Sequence, residues 1–163
     1  GRIFDGERSG QVVERDLQTW YAKLHQPYVD AGTIPAYSLA GYRERSVFIR
    51  HSLHVPPPRE AVPDAMEALF VALAGEEHPG VRAVLGHFVF VFIHPYQDGN
   101  GRLGRFLMNA MLASGGYGWT VIRVSQRSEY MAALEEASTR GNIAAFCRFV
   151  AQEMKVDWRS NED

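Results

Sequence analysis

Twelve consecutive residues hold most of the chemistry in this chain: His94, Pro95, Tyr96, Gln97, Asp98, Gly99, Asn100, Gly101, Arg102, Leu103, Gly104 and Arg105. A helix opening near Asn100 leaves its first N–H groups without internal partners, and its dipole makes that end electropositive, so an anion docks there readily. Gly99 and Gly101 lack Cβ atoms, which lets the main chain turn through positive φ and approach a phosphate closely. Arg102 and Arg105 fall on one helix face and present planar, permanently charged donors suited to phosphate oxygens. Asp98 is a hard oxygen ligand beside the same anion, and one carboxylate suffices for Mg²⁺ when substrate phosphates complete its shell. His94, with an ordinary pKa of about 6.5, can accept a proton from a hydroxyl at neutral pH. Singly, these residues have plain alternatives: a structural histidine, a Gly-rich turn, a solvated helix face. As a set they predict a nucleoside triphosphate site with His94 as general base.

The elements around the run must form a break between two helices. Residues 81–93 are apolar and lead into it, and the Gly/Pro-free residues 106–113 lead out. Pro95 stops the first helix, and Gly115-Gly116 ends the second near Ser114. Elsewhere, Leu17, Trp20, Tyr21 and Leu24 predict a helix over 12–25, followed by a Gly/Pro-rich stretch over 27–41. A helix after Pro58 places Met66, Leu69, Phe70, Val71 and Leu73 on a broad buried stripe, with a turn over 75–80. Two more helices are expected over 128–139 and 143–154, the last capped by Asn142. The expected fold class is therefore mainly α, in one domain, with no internal repeat.

The run 94–105 resembles the signature loop of the Fic (Fido) family, H-x-F-x-[D/E]-G-N-G-R-x-x-R, with Tyr96 where Phe is usual. The aromatic there is a buried anchor, and a phenol serves if its hydroxyl finds a partner. The similarity extends over about 17–154, leaving 1–16 as a lead-in and 155–163 as a tail. It implies a Fic/Fido-like helical domain with a small β-hairpin flap. It also implies protein adenylylation, in which AMP passes from ATP to a Ser, Thr or Tyr hydroxyl of a target protein and pyrophosphate is released. His94 would be the catalytic base, Asp98 the Mg²⁺ ligand, and Asp98, Gly99, Asn100, Gly101, Arg102 and Arg105 the nucleotide-binding residues. The related Doc toxins carry Ala-Asn-Lys in this loop and phosphorylate their target, so Gly99-Asn100-Gly101 favours AMP transfer.

Two further segments share the resemblance. Residues 45–58 are similar to the family's flap: Val47-Phe48-Ile49 has strand character, Leu53-His54-Val55 returns, and Pro56-Pro57-Pro58 ends it. A ribbon with a free edge can add a target segment as a further strand, which makes Val47, Ile49, Leu53 and His54 the docking residues. An ordinary surface hairpin is the plain alternative. Residues 122–130 with Leu134 and Ser138 resemble the segment that closes over the nucleoside. Tyr130 and Leu134, four apart on one face, would wall the adenine; as plain residues they would be core.

Composition narrows the partners. Its 163 residues, 46% of them hydrophobic, suffice for one core, and a formal charge of −2 without a sustained basic run argues against nucleic acid. No apolar run approaches the roughly 20 residues needed to span a membrane. Cys147 is the only cysteine, beside Phe146 and Phe149, and is expected in the core. These features predict a reducing, cytoplasmic setting, or delivery into a host cytoplasm, and the resemblance suggests a bacterial source. The chain begins with Gly rather than Met, as an excised piece would. The inhibitory [S/T]-x-x-x-E-[G/N] helix of some relatives is not found: Ser125 and Glu129 have the spacing, but Tyr130 follows. Control would then fall to an inhibitory helix or antitoxin outside this chain. Removal of AMP by water, a nucleotide-sensing module without catalysis, and more weakly a metal-dependent nuclease on His94, Asp98 and Asn100 are the alternatives. The intact base speaks against the module.

Overall fold

A computed structural model of the protein describes residues 9–155; the start of the lead-in and all but the first residue of the tail lie outside the described residues. Six α-helices form the domain: α1 (Ser9–Asp30), α2 (Val62–Gly75), α3 (Pro79–Ile93), α4 (Asn100–Ser114), α5 (Arg127–Arg140) and α6 (Ala144–Glu153). The mainly helical class expected from periodicity is what the chain adopts, and short 3₁₀ turns at Ala36–Leu39, Arg59–Ala61 and Val124–Gln126 link the helices.

The centre is the pair α3 and α4, which make the most extensive helix–helix contact. Ala83, His87, Phe90 and Ile93 of α3 meet Leu103, Leu107, Met108, Met111 and Leu112 of α4, all buried. Gly104 makes the close approach possible. A Cβ at that position would lie 2.9 Å from Val91 Cγ1 and 3.0 Å from His87 Nδ1. α1 packs over α2 and α4 through Val13, Leu17 and Tyr21, while Phe146, Phe149 and Val150 of α6 close the far side. Asn142 Oδ1 accepts from the Ala144 N–H at 3.2 Å, the cap expected for α6.

Four expectations need correction. α1 starts at Ser9 and runs through Pro27 to Asp30, because packing of its buried face outweighs a proline confined to the last turn. No strand is present among the described residues, so the β-hairpin flap does not form as such. Within 45–58 the Ser52 N–H bonds back to Ile49 C=O at 3.1 Å and His51 takes φ 63, so the chain reverses, while the Leu53 N–H goes to Glu135 and the His54 N–H to Ser52 Oγ rather than to a partner arm. Cys147 is exposed rather than core, since Phe146, Phe149 and Val150 take the inward face of α6 and position 147 falls a third of a turn away. Val71 leaves the buried stripe of α2 for the same reason.

Gly104→Ala is expected to lower stability by about 1–2 kcal/mol despite alanine's better helix propensity, because the β-branched Val91 and the buried His87 cannot yield freely; urea unfolding measures it. His87 is fully buried, its Nε2 lies 2.8 Å from the Tyr130 hydroxyl, and burial pushes its pKa down to about 4. The unfolded chain therefore binds a proton that the fold rejects, so stability falls as pH drops from about 6.5 toward 4. A loss on the order of 2 kcal/mol between pH 7 and 4.5 is expected, and a smaller one in His87→Phe.

Candidate active site

His94 ends α3 in the left-handed region, at φ 53 and ψ 58, an uncommon conformation for a residue with a Cβ. Its N–H still bonds to Phe90 C=O at 3.0 Å, and the reversal lets Pro95 direct the chain away from the helix. The imidazole Nδ1 lies 3.1 Å from the Val91 carbonyl. A carbonyl only accepts, so Nδ1 carries the proton and Nε2 keeps its lone pair. Burial, chiefly, holds the pKa below the ordinary 6.5, with Arg43 and His54 adding to that and the Val91 contact and Asp98 opposing it. The ring is a neutral base at pH 7.

The loop between α3 and α4 is closed by one side chain. Asn100, 1% exposed, accepts the Tyr96 N–H at 2.9 Å and donates to the Tyr96 carbonyl at 2.8 Å. Both ends of its amide are thereby satisfied. The expected anchor, Tyr96, is buried, stacked on Tyr21 at 3.7 Å, with its hydroxyl 3.5 Å from Gln18 Oε1. Gly99 turns the chain at φ 82, where a Cβ would lie 2.5 Å from His25 Cε1. The first helical bond of α4 runs from the Leu103 N–H to Gly99 C=O at 2.9 Å, leaving the preceding amides without helical partners.

These groups converge on a cleft of about 330 Å³, of a size that suits a small ligand. His94, Asp98, Gly99, Asn100, Gly101, Arg102 and Arg105 line one side of it. Tyr130 and Leu134 line another, with Met131, Arg127, Glu135 and Ser138 of the same helix. Arg105 has no carboxylate partner among the described residues, whereas Arg102 is 3.3 Å from Asp98 Oδ2 and lies over the Tyr28 ring. Tyr130 is 4% exposed and packs against His87, Phe146 and Phe149, so its ring is mainly core and Leu134 and Met131 offer the freer wall. A larger groove of about 600 Å³ behind the loop, lined by Tyr28, Tyr37 and Tyr42, shares only Asp98 with the cleft and lacks the helix N-terminus.

The 45–58 segment lies against this cleft without strand pairing. Ile49, Ser52 and His54 line it; His54 stacks on Phe92 at 4.0 Å, and its Nε2 lies 2.8 Å from the Phe92 carbonyl. Val47 is half-buried, while Leu53 is 86% exposed. Glu135 ties the segment to α5, accepting the Ser52 hydroxyl at 2.5 Å and the Leu53 N–H at 2.8 Å. Neither Glu135 nor Arg43, which holds the His94 carbonyl at 2.8 Å, stands out in the sequence. Both act across 50 or more residues, and no local spacing marks them.

Fold and cleft define a helical domain in which a half-buried histidine shares a cleft with a helix N-terminus and two arginines. The chain belongs to the Fic/DOC family, whose model matches residues 11–112. It is 41% identical over 115 residues to a protein adenylyltransferase Fic of Nematostella vectensis and 37% identical over 114 residues to the one of Drosophila mojavensis. Each match covers 68% of this chain but only 26% and 22% of those proteins, so the chain spans about a quarter of their length. The solved structure of Fic-1 from C. elegans superposes over 90% of this chain and 46% of its own, with a TM-score of 0.68 at 24% identity. A Fic domain containing signaling protein from Bacteroides thetaiotaomicron superposes over 69% of this chain and 50% of its own, with a TM-score of 0.60 at 26% identity. Such relatives come from animals as well as bacteria, so family membership does not carry the expected bacterial origin. No helix among the described residues is long and apolar enough to cross a membrane.

Glu135→Ala is expected to release the 50–54 turn from α5. Hydrogen exchange at Leu53 should quicken by about tenfold or more with the loss of its charge-assisted bond; unchanged exchange would show that the turn is held otherwise.

Proposed function

We propose that this domain transfers AMP from ATP to a Ser, Thr or Tyr hydroxyl of a target protein and releases pyrophosphate. One observation carries the proposal: the unprotonated Nε2 of His94 belongs to the same cleft as the N-terminus of α4, Arg102 and Arg105. The naming of the animal relatives as protein adenylyltransferases supports it.

In this mechanism the amides at the start of α4 hold the α-phosphate, while Arg102 and Arg105 balance the β and γ charge. His94 Nε2 accepts the proton of the target hydroxyl, the oxygen attacks the α-phosphorus in line, and the bond to the β-phosphate oxygen breaks. Leu134, Met131 and the edge of Tyr130 flank the adenine. Asn100 positions the loop through Tyr96 and contributes its main chain to the phosphate.

Asp98 fits the Mg²⁺ role. Its side chain is 84% exposed at the cleft rim and meets Arg102 through one oxygen, at 3.3 Å. Among the described residues no three His, Cys, Asp or Glu side chains gather as a cage, so substrate phosphates would have to complete the shell. When bound, the ion supplies charge neutralisation at those phosphates. The target segment docks beside Val47, Ile49, Leu53 and His54, and control comes from a helix or antitoxin outside these residues.

Incubation with α-labelled ATP, Mg²⁺ and a cell lysate should label proteins, and His94→Ala should reduce labelling by at least about 100-fold; equal labelling by the variant would remove the base assignment. The base works when neutral, and its pKa lies below 6.5. The rate should therefore hold between pH 8 and 7 and lose half its value only below pH 6.5. An acid limb centred above 7 would contradict the arrangement of charges around His94.

A further inference from the structure

Arg43 lies outside the signature loop, in the stretch that leads into residues 45–58, yet it is only 6% exposed. No carboxylate lies within ion-pair reach of it among the described residues. Its guanidinium instead donates to main-chain carbonyls: Nε to His94 at 2.8 Å, one terminal nitrogen to Arg45 at 3.2 Å, and the other to Pro57 and, at 3.5 Å, to Ile93. Its own N–H donates to Pro95 C=O at 2.8 Å. A buried arginine is a costly way to fill space, since an apolar side chain would do so without desolvating a charge. What this fork does that no apolar residue can do is hold four carbonyls at fixed angles.

Those carbonyls belong to two places. Ile93 and His94 close α3, where the last carbonyls have no helical partner and where His94 sits in the left-handed region that a residue with a Cβ seldom adopts. Arg45 and Pro57 are the two ends of the segment that curves past the cleft. We propose that Arg43 is a positioning residue: it holds the His94 main chain in its reversed pose and pins both ends of the 45–58 segment to that same point, so the base and the acceptor share one frame. This rests on the reading of His94 as base and of 45–58 as the acceptor's dock. Arg43 itself does not line the cleft.

The tests are Arg43→Lys and Arg43→Met. Lysine keeps the charge but presents one nitrogen, which cannot span four carbonyls. Both variants should bind ATP within about twofold of the wild type by calorimetry, because the phosphate-facing groups are untouched. Label transfer at saturating ATP should fall by about 10- to 100-fold in both, a loss in kcat with little change in the KM for ATP. The ¹⁵N signals of the His94 imidazole should show a protonated Nδ1 in the wild type and move toward a mixed tautomer in both variants. Arg43→Lys with wild-type kcat and unchanged imidazole signals would overturn the proposal. So would a loss of ATP affinity in step with the rate, which marks a general structural role. If the wild type transfers no AMP, the proposed activity fails, and the imidazole signals alone then decide the role of Arg43.

Discussion

The reciprocal pair of hydrogen bonds between the Asn100 side chain and the Tyr96 peptide is the interaction on which the cleft depends. It folds the chain back at the point where α3 has ended and α4 has not begun. With that closure made, α4 can start at Asn100, and its N-terminal amides lie in the same cleft as His94. Without it, a run containing two glycines would have no reason to hold one shape. The closure is backed by packing: Tyr96 is stacked on Tyr21, and Gly99 fits against His25 where no larger residue has room.

Charge in the cleft is sorted by burial. His94 is partly withdrawn from water and stays neutral, fit to accept a proton, while His87 behind it is fully withdrawn and takes no part. Arg105 lines the cleft with no carboxylate partner among the described residues, and the Asp98–Arg102 contact is long and exposed, so neither guanidinium is tightly held. The Tyr130 hydroxyl meets His87 Nε2 at 2.8 Å, which places its ring in the core and leaves mainly the neighbouring aliphatic side chains to form the wall.

The 45–58 segment shows how a surface segment can be held in place without a sheet. Strand pairing would fix it through its own main chain. Here the fixing comes from elsewhere: Glu135 from α5, His54 against α3, and Arg43 at both ends. The exposed Phe48, Leu53 and Val55 thus stand on a turn whose position is set by helices rather than by a partner strand.

Local pattern was enough for much of this protein. Five of the six helices follow within a few residues from apolar spacing, Pro95, Gly115 and the Asn142 cap, because those signals act within a turn or two of where they stand. The composition of the cleft's loop side was equally legible, since seven of its residues are consecutive or nearly so, from His94 to Arg105. Tertiary structure alone decided what depends on partners far along the chain. It carried α1 through Pro27, turned Cys147 and Val71 outward, and withheld strand pairing from 45–58. It gave the Asn100 side chain to the loop and left its main chain at the cleft, put most of the Tyr130 ring in the core, and made Glu135 and Arg43 the ties across the site. Sequence by itself determines which groups are present and how neighbours are spaced. Which carbonyl a distant guanidinium meets, and which face of a helix is covered, are settled only when separated segments compete for the same contacts.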